Sequence, residues 1–209
     1  MAQYFHIHPH NPQPRLIRRA AEIICRDGVI AYPTDSSYAL GCHIGNKEAV
    51  ARIRTIRQLD HKHNFTLVCR DLSEIAVYAK VNNVAYRLLK ANTPGPYTFI
   101  LPATREVPRR LQHPKRKTIG LRIPDNIISQ ALLAELGEPL MSVTLILPGE
   151  QLPLSDPVEI RAHLEHRLDL IIDGGYCGLE PTTVIDLESD QPHITRAGKG
   201  ASSAFAALD

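Results

Sequence analysis

Apolar runs of strand length recur along this chain, and none is long enough to span a membrane. The stretch at residues 28–57, GVIAYPTDSSYALGCHIGNKEAVARIRTIR, shows how they are punctuated. Val29, Ile30 and Ala31 read as a buried strand, and Pro33 stops it because proline has no N–H for a ladder bond. The turn Thr34-Asp35-Ser36-Ser37 is short of bulk and rich in hydroxyls. Gly41 and Gly45 read as points where the backbone turns tightly or approaches a ligand. Asn46 then caps a helix that turns Ala49, Val50, Ile53 and Ile56 inward. A strand ending in hydroxyls and handing over to a helix is a common cradle for a small polar or anionic ligand. The same residues also suit an ordinary connection with local turn bonds.

Further runs at 65–69, 97–101, 119–123, 140–147, 168–173, 181–186 and 193–196 read as strands, with a weaker one at 4–8. Leu16, Ile17, Ala20, Ile23 and Ile24 make a helical stripe closed by Asp27-Gly28. Residues 73–79, 84–91 and 159–164 read as helices, as does 125–136, opened by Asp125 and ended by Gly137. The alternation is irregular, so the expected fold is α/β with one sheet of mixed direction, in a single domain over residues 1–209. His6, His8 and His10 share a face of an extended segment, but Pro9 interrupts it and no acidic residue accompanies them, so no metal site is expected.

Charge is unevenly spread. The formal net charge is +2, yet Arg52 to Arg122 holds 15 Lys/Arg against 4 Asp/Glu, and the remainder 9 against 18. Such segregation suits a nucleotide, nucleic acid or phosphate. Arg54 and Arg57, three apart, can share a helix face and clamp phosphate or carboxylate oxygens, or simply be solvated. Arg109, Arg110, Lys115, Arg116 and Lys117, between Pro108 and the 119–123 strand, form a basic loop suited to RNA backbone, to closing over a nucleotide, or to solvent alone. Arg122 points away from Leu121 and Ile123, into whatever cleft that sheet face lines. Ser142 and Thr144 also share a face. Tryptophan is absent and aromatics make up 5%, which weighs against base stacking as the mode of binding. The four cysteines have no C-x-x-C spacing and the N-terminus has no signal-peptide pattern, so reduced thiols in cytoplasm are expected.

YPTDSSYALGC at 32–42, PGPYTFIL at 94–101, TIGLRIPD at 118–125, IIDGGYCGLEPTTVIDL at 171–187 and ITRAG at 194–198 together resemble the YrdC-like family, most of all its YciO branch. The resemblance implies a twisted α/β domain with a large, concave, basic cavity. It implies joining threonine, bicarbonate and ATP into threonylcarbamoyl-AMP, releasing pyrophosphate with Mg2+ on the phosphates, in the service of a tRNA adenosine modification. Binding of double-stranded RNA is also linked to the family. By the resemblance, Arg57, Arg122 and Thr144 are the catalytic positions. Thr34, Lys62, Ser142, Thr182, Thr183 and Arg196 bind substrate or nucleotide, and no residue is a metal ligand. Thr34 falls in the threonine-binding turn, Arg122 where an arginine meets a carboxylate or phosphate, and Thr182, Thr183 and Arg196 where segments close on the nucleotide.

Two positions depart from the family pattern. Its Lys-x-Arg is Arg57-Gln58-Leu59 here, with Lys62, His61 or His63 as substitutes for the missing cation. Its Ser-Thr-Ser-Ala-Asn is Ser142-Val143-Thr144-Leu145-Ile146, and Ile146 has no donor to offer. No residue stands out as nucleophile or general base. The expectation is therefore weak or redirected activity, with another amine as a possible substrate. The alternative is a tRNA- or double-stranded-RNA-binding protein without this catalysis.

Overall fold

The computed structural model describes residues 1–60, 63–189 and 191–206; Lys62 and His61 lie outside them. In chain order the elements are β1 (Gln3–His6), α1 (Pro14–Cys25), β2 (Ile30–Tyr32), β3 (Ala39–His43), α2 (Lys47–Arg57), β4 (Thr66–Val68), α3 (Leu72–Tyr78), α4 (Asn83–Asn92), β5 (Tyr97–Pro102), β6 (Thr118–Arg122), α5 (Ile127–Leu136), β7 (Leu140–Thr144), α6 (Pro157–Leu164), β8 (Leu170–Asp173), β9 (Thr183–Asp186), β10 (His193–Arg196) and α7 (Ser203–Ala206). Among the described residues ten strands form one sheet, ordered β1-β8-β2-β3-β7-β4-β6-β5-β9-β10. Its direction is mixed, as expected: β2 and β8, β4 and β6, and β5 and β9 run parallel, while β3 and β7, and β5 and β6, run antiparallel.

Side-chain parity divides the core into two layers. On β2 and β8, Ile30, Tyr32, Leu170 and Ile172 face α1 and α5, meeting Ile17, Ala20, Ile24, Ile128 and Leu132. Ala31 and Ile171 face the other way, into the larger layer with Ile53 of α2, Leu89 of α4 and Ile160 of α6. The α1/α5 layer draws on β8, β2, β3, the start of β7 and Val68. Further along the same sheet face, β4, β6 and β5 present Thr66, Gly120, Arg122 and Thr98. Those side chains are too small or too polar to seat a helix stripe. That half of the face stays open as a basin.

Two local readings need correction. Gly41 does not turn the chain; it sits inside β3, paired with Ile30 on one side and Ser142 on the other. A Cβ there would lie 2.6 Å from Leu140 Cδ2 and 2.9 Å from Tyr32 Cε1, so the glycine answers a close approach between strands. Residues Ala39 to Cys42 are buried on both faces, so the period-2 alternation that marks a strand is missing. The cap of α5 is Asn126, not Asp125: its side chain accepts from Ser129 N at 2.9 Å. The Asn46 cap is as expected, accepting from Ala49 N at 2.6 Å.

Candidate functional site

The open half of the sheet holds a cavity of about 400 Å³. The strand register lays Ser142, Thr66, Gly120 and Ile100 in one row across its floor. Gly120 keeps the floor low, since a Cβ would sit 2.8 Å from Thr66 Oγ1. Arg57, Arg122 and Arg196, the last residues of α2, β6 and β10, converge on this space from distant parts of the chain.

Each arginine is held partly by the protein. Arg122 is buried, donates to Ser36 Oγ at 2.9 Å and to Thr34 Oγ1 at 3.3 Å, and pairs with Asp35. Arg196 donates to the Thr182 carbonyl through Nε (3.2 Å) and Nη2 (2.8 Å). Arg57 donates through Nη1 to the Ile146 carbonyl. The Nε atoms of Arg57 and Arg122 are buried with no protein partner. Burial pushes the Arg57 and Arg196 guanidinium groups below the usual arginine range, and the Arg122 charge adds to the effect on Arg196. Even so lowered, an arginine guanidinium keeps its charge at neutral pH. Among the described residues the cavity lining contains no carboxylate.

Thr144 and Ser142 line the cavity; the Ser142 hydroxyl also lies 2.7 Å from Tyr32 OH. Thr182 lines it too, its hydroxyl 2.9 Å from Thr98 Oγ1. Thr34 and Thr183 are not in the lining. Thr34 Oγ1 donates to the Ser37 carbonyl (2.6 Å) and accepts from Ser36 N and Ser37 N, so it shapes the turn that holds Arg122. Thr183 Oγ1 donates to the Gly200 carbonyl (2.6 Å) and accepts from Gly198 N (3.0 Å), fastening the segment after β10. Lys62 is outside the described residues.

The basic segment divides between site and surface. Arg54 does not join Arg57; its guanidinium lies 4.6 Å from the Phe65 ring centroid and donates to the Asp60 carbonyl. No described residue of the loop at 105–117 lines the cavity, because that loop precedes β6 and Arg122 ends it. Arg116 is paired with Asp186 and Glu188, and Arg110 donates to the Ile44 and Gly45 carbonyls. His6 has an acidic neighbour that the linear order concealed, Asp173, 2.7 Å away on β8. Even so, no group of three or more His, Cys, Asp or Glu able to hold a metal occurs among the described residues. His63 and Asn64 do line the cavity. From the sequence His63 stands out only as a substitute cation; the run Arg57–Phe65 carries no periodic signal that would aim it.

A family model named Sua5_yciO_yrdC and described as "Telomere recombination" matches residues 22–198. The chain is 60% identical over 205 residues to the uncharacterized protein YciO of Escherichia coli (strain K12), covering 98% of this chain and all of that one. The crystal structure of E. coli YciO superposes with a TM-score of 0.96, again over 98% and 100% of the two chains. The threonylcarbamoyl-AMP synthase of Halorhodospira halophila is 31% identical over 180 residues, 85% of this chain and 93% of that one. P. abyssi Sua5 complexed with L-threonine matches with a TM-score of 0.86 at 26% identity, over 93% of this chain and 57% of that one.

Proposed function

Because the chain belongs to the Sua5/YciO/YrdC family, we propose that its basin joins threonine, bicarbonate and ATP into threonylcarbamoyl-AMP, or carries out a close variant of that reaction. One observation carries this reading: three arginines from three elements meet in one cavity whose described lining has no carboxylate. Two of them keep a buried Nε without a protein partner. Burying such donors without a partner is costly, and the cationic groups that carry them favour an anion in the cavity.

In the proposed reaction the carbamate oxygen attacks the α-phosphorus of ATP and pyrophosphate departs. Negative charge grows on the phosphoryl oxygens and on the leaving group. Arg57, Arg122 and Arg196 face that charge from several sides, and the Thr144 and Thr182 hydroxyls supply further donors. Holding threonine and nucleotide in one basin supplies the orientation. The described residues do not fit a resident Mg2+ site: the lining has no carboxylate among them, and Asp35, which touches the lining residue Arg122, is engaged with it. No step is therefore routed through a metal.

Two features slow or redirect this chemistry. Ile146 lines the cavity where the family has an amide donor, and one N–H of Arg57 is held by the Ile146 carbonyl. In this proposal residues 1–209 act as one domain in cytoplasm, where the free thiols of Cys42 and Cys69 stay reduced. No helix of the described residues is long and apolar enough to cross a membrane.

Calorimetry with ATP, followed by an assay of threonine- and bicarbonate-dependent pyrophosphate release, tests the proposal. ATP binding with release above background supports it. A flat assay beside a working threonylcarbamoyl-AMP synthase removes the catalytic part. One observation favours a second reading: Arg109, Lys115 and Lys117 are exposed and lie outside the cavity. In that reading the protein binds tRNA or double-stranded RNA, with an affinity that falls steeply as salt rises.

A further inference from the structure

The cavity lining contains a single described side chain that can take up and release a proton near neutral pH, His63. Every other polar group there is a guanidinium, a hydroxyl or the Asn64 amide, and none of these exchanges a proton in that range. We propose that His63, in its neutral form, is the proton acceptor of the cavity and takes a proton from the ammonium group of the amino-acid substrate. The inference rests on the reading that this basin handles ATP and threonine.

The chemistry requires such a group. Threonine arrives as an ammonium ion, whose nitrogen has no lone pair to attack carbon. An N–H bond breaks, its electron pair stays on nitrogen, and the proton passes to the imidazole. The freed pair forms the C–N bond to bicarbonate carbon; the C–OH bond breaks, and the hydroxyl leaves as water with a second proton from that nitrogen, giving the carbamate. A carbamate oxygen then attacks the α-phosphorus, and the P–O bond to pyrophosphate breaks. The imidazolium returns its proton to solvent as products depart.

The geometry keeps His63 in the form this needs. Its ring stands edge-on to Phe65, centroids 5.8 Å apart at 77°, and its backbone N–H donates to the Asp60 carbonyl. Among the described residues the charged groups around it are Arg57 and Arg54 of α2, Asp60 after α2, and Arg196 of β10. Burial, and next the Arg57 charge, hold its pKa below the ordinary histidine value; Asp60 opposes them, while Arg54 and Arg196 add to them. A cationic His63 would be a fourth positive group facing three guanidinium groups. Bound phosphates reverse that balance: as ATP enters, His63 becomes a stronger base at the moment it is needed.

NMR titration of the His63 imidazole in the full chain, without and with saturating ATP, reads this directly. The expected result is a titration below the ordinary histidine range in the free protein, rising by a measurable fraction of a pH unit or more with ATP. His63→Gln should lower threonine-dependent pyrophosphate release about a hundredfold at neutral pH and abolish the acid limb of the wild-type pH profile. A purely structural role against Phe65 would lower the rate at every pH and leave that limb in place. If calorimetry shows ATP binding but the His63 resonance and titration do not move, the inference is overturned and the nucleotide site stands. If His63→Gln keeps the acid limb, the inference is likewise overturned. If ATP does not bind at all, the functional reading falls and the inference with it.

Discussion

Arg122 shows how one side chain serves both fold and site. It lines the basin, is buried, pairs with Asp35, and still has a buried Nε without a protein partner. Arg122→Ala would leave Asp35 buried without its counter-ion, which costs about 3–5 kcal/mol. Urea unfolding should show that loss, and calorimetry should show ATP affinity falling with it. Ile146 makes the opposite case, a site position without a donor. Ile146→Asn restores an amide beside the floor and should raise pyrophosphate release about tenfold, a fraction of what one well-aimed donor contributes. An unchanged rate in a folded variant would show that this position does not face the developing charge. The sequence motif located Arg122 and its outward direction, because strand parity alone decides it. It did not reveal the Asp35 partner, which depends on the turn after β2 reaching Arg122 although three strands separate β2 from β6.

At the scale of elements, α2 carries Arg57 on its last residue and is opened by Asn46. Gln58, in a left-handed conformation at φ 50°, ends the helix there. Asn46→Ala removes the acceptor for Ala49 N and should cost about 1 kcal/mol, measurable as a lower urea midpoint. Strand β3 is more demanding. Gly41→Ala forces a methyl against Leu140 and Tyr32, for a cost of about 1–3 kcal/mol in the same assay. The helix was readable because capping chemistry and a 3.6-residue stripe are local signals. The strand was not: small residues buried on both faces show no alternation, and a glycine between strands looks like a glycine in a turn.

For the whole molecule, the surplus of positive charge from Arg52 to Arg122 is real in sequence but divided in space. Arg57 and Arg122 enter the basin, Arg54 covers Phe65, and Arg116 is neutralised by Asp186 and Glu188. Neutralising Arg109, Lys115 and Lys117 together should leave ATP affinity unchanged by calorimetry. If RNA binding occurs, the same variant should weaken it and flatten its salt dependence. The chain's own order of residues determined the element types, most helix ends, the mixed α/β class and the identity of the arginines, because periodicity, capping and strand parity act over a few neighbours. Only the tertiary structure decided which cations share a cavity, that Thr34 and Thr183 support its walls without lining it, and that His63 stands among the arginines. Those outcomes depend on strand order and helix coverage, and on a ten-stranded sheet both are set by contacts between residues far apart in the chain.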